Sequence, residues 1–376
     1  MTYDVIVAGV GGHGSAACYQ LALRGQKVLG LERFDIANSM GSSHGLTRII
    51  RLAYFEAPFY VPMLRRALEL WRETGAKFGE PLMVTTGGLD IAPEGEAIFE
   101  GALESCRVHH LPHEVLTGAE VNARFPGHRV PAGHRAVYEM EAGFLLSERA
   151  IVAHVTLAQA AGAEIHARER VLEWTPIAGG GVRVRTDRGT YEADRLIVSA
   201  GPWLAELAPQ LAPLAVPERQ VIGWFQPSDP AKFSPEVFPV TILDVPEGAF
   251  YLLPTWGIPG VKIGLHHHLR ETGMPETLSR EVTAADEAAL RACLAAYFPE
   301  ANGPVMAMRT CLYTLTPDET FIVDTLPGQP EVIIASPCSG HGYKFASVMG
   351  EILADLATGG TPRFDLAPFS LARFGL

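Results

Sequence analysis

Apolar residues in this chain first form an unbroken run, DVIVAG at 4–9, which is how a strand buried on both faces reads. The segment VGGHGSAACYQLALRG that follows is helical in composition, and QKVLGLER is apolar again, so the opening predicts strand, glycine turn, helix, strand: a βαβ unit. Gly25 stands where the chain must leave the helix, a C-cap position that favours positive φ. In VPMLRRALELWRETG, apolar residues at 64, 68 and 71 predict an amphipathic helix ending at Gly75. SERAIVAHVTLAQAAGAE predicts another, with Ser147 as N-cap and Gly162 as C-cap. GVRVRTDRGTYEADRLIVSAG alternates, turns at DRG, alternates again and closes on an apolar run, predicting a hairpin that feeds a buried strand. Residues 216–310 hold short strand-like runs, among them GAFYLLPTW and VKIGLHHH, and predict a mixed sheet. From Phe321 to Gly360 the pattern is strand, turn, strand, glycine turn, helix, a return to α/β character.

These elements divide the chain into a discontinuous, Rossmann-like α/β unit (1–85, 145–215 and 311–376) and an α+β unit with a mixed sheet (86–144 and 216–310). A length of 376 residues agrees with two domains. Hydrophobic residues at 48% and charged residues at 19% form an ordinary globular balance, and no run of about 18 apolar residues is present to cross a membrane. The N-terminus enters a strand directly, without a basic leader, so the expected location is the cytoplasm. Five widely spaced cysteines, none in a CxxC, argue against a disulfide framework or a zinc ribbon. A formal charge of −12 disfavours a nucleic-acid partner and makes any local cluster of cations informative about where an anion binds.

Gly9, Gly11 and Gly14 form G-x-G-x-x-G between the first strand and the first helix, where glycines permit a tight turn, close approach of pyrophosphate and helix packing. Glu32 ends the second strand at the spacing of a carboxylate that binds ribose hydroxyls. This combination predicts a dinucleotide site and leaves NAD and FAD both open.

Five later motifs decide between them: GSSHGLTRIIR (41–51), RLIVSAGPW (195–203), VKIGLHHH (261–268), CLYTLTPDETFIVD (311–324) and CSGHGYKF (338–345). Together, and in this order over essentially the whole chain, they resemble the monomeric sarcosine oxidase and N-methyltryptophan oxidase family, and the tail FDLAPFSLARF is most similar to the second branch. The resemblance implies a monomer that binds FAD and oxidises a small N-methyl amino acid with O2, giving the demethylated amino acid, formaldehyde and H2O2. It implies no nucleic-acid or membrane partner. Cys311 falls at the family position that carries the flavin through a thioether, whereas Cys338, a departure just before the Ser-Gly-His-Gly, is expected to pack.

By the same resemblance, Arg51 and Lys344 grip the substrate carboxylate, a task suited to a guanidinium beside an ammonium. Arg48 lies close to the flavin ring, His44 is an active-site histidine, Lys262 promotes reaction with O2, and Tyr251, His266 and Tyr313 bound the substrate. Leu46 stands where the family commonly has aspartate. Gly340, His341 and Gly342 precede a helix with Phe345, Val348, Met349, Ile352 and Leu356 on one face, whose N-terminus would favour negative charge on the flavin. No metal is expected at the His266–His268 run, since alternate strand residues face opposite ways and no carboxylate or thiol clusters nearby. Three rivals share parts of this pattern: a same-fold dehydrogenase passing electrons to a carrier, a non-catalytic amino-acid-binding flavoprotein, and, from the fingerprint alone, an NAD-dependent dehydrogenase.

Overall fold

The computed structural model describes residues 2–376. Its first sheet is built on the parallel strands Thr2–Ala8 and Val28–Leu31, joined by the helix Gly12–Leu23 as the apolar pattern predicts. Thr190–Val198 lies parallel on the other side of the first strand, and the hairpin partner Val182–Thr186 extends the sheet outward. The C-terminal strands Gln329–Ser336 and Ile322–Leu326 join the same sheet, so segments far apart in sequence close one nucleotide-binding layer. The helix Ala346–Ala357 packs on Gly12–Leu23 so tightly that a Cβ on Gly350 would come within 2.7 Å of the Ala16 backbone.

The second sheet has eight strands in the order Val305–Leu315, Val216–Phe225, Val261–Leu265, Gly248–Leu253, Val240–Val245, Gly88–Pro93, His134–Glu139, Glu114–Thr117. Only the contact between Val240–Val245 and Gly88–Pro93 is parallel, so the sheet is mixed. Residues facing each other across a ladder lie on the same face. The register Asp90, Ile242, Tyr251, Gly264, Ile222, Arg309 is therefore a row across one face. Two-residue periodicity adds Lys262, Cys311 and Tyr313 to that face. The other face buries Leu243, Phe250, Leu252, Ile263 and Val221 in an apolar core.

Four expectations are corrected. Residues 311–315 belong to Val305–Leu315 and pair with the second sheet, because the ladder from Val216 to Trp224 keeps one register past Cys311. The helix after Val61 does not stop at Gly75 but continues to Phe78. Gly79, at φ +90°, makes the exit, and Gly75 is glycine because a Cβ there would lie 2.9 Å from the Glu80 carbonyl oxygen. Ser147 is the first residue of its helix rather than the cap, and its hydroxyl donates to Glu148 at 2.7 Å. The last long helix buries more than one face, since Ala346, Ser347, Gly350 and Leu353 are buried along with Val348, Met349 and Ile352.

Candidate active site

One cavity of ≈ 650 Å³ runs from the glycine turn to the cations of the second sheet. Of the sixteen residues singled out from the sequence, all but Gly14 and His44 line it. Gly9 leaves the first strand at φ +95°, and a Cβ on Gly14 would fall onto the Gly9 carbonyl oxygen. A Cβ on Gly11 would instead project into open space, with Ser43 Oγ at 3.8 Å as its nearest neighbour. That glycine keeps room for a ligand to meet the backbone, as a pyrophosphate requires. Glu32, at the cavity wall, accepts from the Val10 and Phe34 N–H groups at 2.9 Å each, which fixes its carboxylate and leaves lone pairs toward the cavity. The turn and the acid fit FAD. Gly14→Ala is expected to destabilise the protein by the upper end of about 1–3 kcal/mol, since backbone must move to admit the methyl. Urea unfolding with flavin content measured in parallel checks this, and unchanged values would remove the close approach from the explanation.

Cys311, 3% exposed, lines the same cavity. Its Sγ lies 3.5 Å from Arg48 Nη2 and 3.5 Å from the Ser42 carbonyl oxygen. Burial pushes the thiol up, yet His44 and Arg48 together bring it down to about 6. Arg48 is held in place by donating to the carbonyls of Thr47 (3.0 Å) and Ser42 (2.9 Å). His44 sits behind the wall, 1% exposed, and its contact with the sulfur is the largest of the influences that bring the thiol down. Cys338 also lines the cavity, but burial raises its thiol to about 11.

Lys262, 1% exposed, donates to the carbonyls of Gly45 (2.9 Å) and Thr47 (2.5 Å) and to Thr47 Oγ1 (3.3 Å). Burial, reinforced by Arg48, puts its amine well below the ordinary lysine range. Tyr251 projects from the same sheet face across Gly264, where any Cβ would strike its ring. His266 Nδ1 is 3.4 Å from the Tyr313 hydroxyl, and burial holds the imidazole neutral, down to about 3.

The residues before the last helix are shaped for close approach. A Cβ on Gly342 would fall onto the Pro337 carbonyl oxygen, and one on Gly340 would lie 2.6 Å from the Tyr313 ring. His341 Nε2 is 2.9 Å from the Glu319 carbonyl oxygen, which can only accept, so its Nδ1 accepts from the Tyr54 hydroxyl at 2.5 Å.

Arg51 and Lys344 both reach the cavity, but not as free cations. Arg51 donates to Glu56 Oε2 at 2.8 Å and to the Ala53 carbonyl at 2.6 Å, and its Nε stands 3.7 Å from Asp90 Oδ1. Although burial raises the Glu56 carboxyl, Arg51, His341 and Lys344 bring it down to about 2, so a permanent carboxylate already sits among these cations. Lys344 Nζ donates to the His341 carbonyl at 2.8 Å. Burial lowers its amine to about 7, and burial raises Asp90 to about 7.

The model of a family described as FAD-dependent oxidoreductases matches residues 4–356. The chain belongs to this family. It is 42% identical to monomeric sarcosine oxidase of Bacillus sp. (strain B-0618), covering 99% of this chain and 96% of that protein. It is 37% identical to N-methyl-L-tryptophan oxidase of Citrobacter koseri, over 100% of both. Among solved structures it superposes on NikD, an unusual amino acid oxidase essential for nikkomycin biosynthesis, with a TM-score of 0.83 at 26% identity, covering 98% and 97% of the two chains. Among the described residues no helix is long and apolar enough to cross a membrane.

Sequence reasoning missed three acids of this FAD-dependent oxidoreductase. Glu148 accepts from the Gly45 and Leu46 N–H groups at 2.7 and 2.9 Å and so pins the loop whose carbonyls hold Lys262. At the first helical turn it reads merely as a complement to the helix dipole. Glu56 and Asp90 lie in FEAPF and GLDIA, and only the second carries a local signal, a charge inside an apolar strand.

Proposed function

We propose that this chain is a flavin oxidase that demethylates N-methyl amino acids with O2, releasing amino acid, formaldehyde and H2O2. One observation carries the reading: a single cavity is lined by the dinucleotide turn, by the buried cations Arg51 and Lys344, and by Cys311 and Lys262. FAD, when bound, supplies acceptance of a hydride equivalent and its delivery to O2. Gly9, Gly11, Glu32 and the segment Gly340–Gly342 would hold it, and Cys311 would tether it. Arg51 and Lys344 fix the substrate carboxylate, which must share or displace the hold of Glu56 on Arg51. Tyr251, Tyr313 and neutral His266 bound the amine with hydrogen-bonding groups that carry no charge, an environment for the uncharged secondary amine. An anaerobic panel from sarcosine to N-methyltryptophan should bleach the flavin absorbance, and admitting air should yield stoichiometric H2O2. Binding without bleaching would overturn catalysis, and bleaching without H2O2 would assign the electrons to a carrier instead.

The clamp makes two predictions. Lys344→Met and Arg51→Met should each weaken a carboxylate ligand by about 1.5–3 kcal/mol, the worth of a charged hydrogen bond. Unchanged affinity in both variants would remove them from the site. As pH rises through about 7, Lys344 loses its positive charge and Asp90 gains a negative one, so both changes oppose an anion. The Kd of a carboxylate ligand without an amine should therefore rise about tenfold between pH 6 and 8. Titration of the flavin spectrum checks it, and a Kd that falls with pH would reverse the assignment.

A further inference from the structure

The rim of the cavity brings together three metal-ligating side chains that the strand pattern set apart. Val261–Leu265 ends one residue before His266, and His267 takes left-handed backbone (φ +55°), so alternation fails and the two imidazoles meet with ring centroids 4.1 Å apart. From a turn far along the chain comes Glu319, also left-handed (φ +54°), a conformation uncommon for a residue with a side chain. One donor atom from each of His266, His267 and Glu319 lies within 4.8 Å of the other two.

The pairing inside this trio is specific. His267 Nε2 is 3.3 Å from Glu319 Oε1, close to the edge of a tetrahedron whose metal–ligand bonds are about 2.0–2.2 Å. The other nitrogen, Nδ1, is 2.9 Å from Oε1 of Glu218, a buried carboxylate whose same oxygen accepts from the Gln220 amide at 2.6 Å. A carboxylate holding the far nitrogen of a histidine is the arrangement that orients imidazole ligands on zinc. Glu319 is more than half exposed, which gives an ion a path from solvent, while His266 and Glu319 both line the cavity.

We propose that His266, His267 and Glu319 form a binding site for a divalent transition-metal ion of the zinc class, oriented by Glu218 and completed by water, at the mouth of the substrate cavity. An ion held there ties up His266 beside Tyr313 on the cavity wall, so occupancy inhibits turnover. Metal binding itself is independent of the substrate reading, and only the inhibition rests on it.

The test uses the holoenzyme with Zn2+ or Co2+ alone. Equilibrium dialysis should give one Zn2+ per chain, and Co2+ should produce the strong visible bands of a four-coordinate site. His267→Asn and Glu319→Gln should each weaken Zn2+ binding at least tenfold, and Glu218→Gln should weaken it less. Added Zn2+ should inhibit the wild type and leave His267→Asn insensitive. No saturable Zn2+ binding and no Co2+ bands on the wild type, or binding unchanged in both ligand variants, would overturn the site and leave His267 as an ion-pair residue. Binding with undiminished wild-type turnover would overturn the inhibition.

Discussion

Acid-denatured wild-type protein is expected to keep its yellow colour in the pellet, and Cys311→Ser to release essentially all its flavin under the same treatment. The reasoning is a contrast between two thiols on one cavity. At neutral pH, Cys311, down to about 6, is chiefly thiolate, whereas Cys338, up to about 11, is almost wholly protonated. Only the thiolate is a competent sulfur nucleophile. Three features make the difference: His44, the Arg48 guanidinium at 3.5 Å, and a position on the sheet face that aims the sulfur into the cavity. Cys338→Ser should therefore keep the flavin attached, and attachment to flavin-free protein should slow as pH falls below about 6. If wild-type protein yields its flavin to acid, or if Cys338→Ser is the variant that does, the assignment to Cys311 is wrong.

Lys262→Met should still be bleached by substrate without air, while its reoxidation in oxygenated buffer slows at least about tenfold, or about 1.4 kcal/mol of transition-state stabilisation. The first electron delivered to O2 makes an anion, so a cation helps only after transfer begins, which is the condition for lowering a barrier. The Lys262 amine is locked by the Gly45 and Thr47 oxygens, and burial has weakened its hold on a proton. A nearby anion restores that hold, and the resulting ammonium stabilises the anion in return. Methionine matches the stem and lacks the charge. Stopped-flow absorbance measures the rate, and a wild-type value would leave Lys262 structural and pass its task to Arg48.

Patterns in the sequence report on the residue's own neighbourhood, and this limit divides what was legible from what was not. The βαβ opening, the hairpin and the final strand–turn–strand–helix follow from apolar runs and glycines, whose physics is local. The cavity's lining was legible because its residues come in dense motifs. Glu148 was not, because its partner Gly45 is 103 residues away and neither segment changes its composition on the other's account. Arg51 reads as a free cation even though Glu56 is only five residues away, since FEAPF gives no sign that Glu56 folds back onto it. The histidine run misleads differently. Alternation assumes extended backbone, and a left-handed His267 cancels it without any glycine to announce the turn.

The two-faced second sheet has a consequence for how this protein tolerates change. Tyr251 and Lys262 on neighbouring inner strands, with Cys311 on the edge strand, line the cavity, while Leu252 and Ile263 on the opposite face fill the core. Saturation mutagenesis should then give two interleaved maps: substitutions at the core positions lower the yield of folded protein, and those at cavity positions leave abundance high while erasing turnover. Selection for new substrates has its freest hand at Ile242 and Ala249, cavity positions outside the inner core, where side chains can be exchanged without rewriting the sheet that holds them.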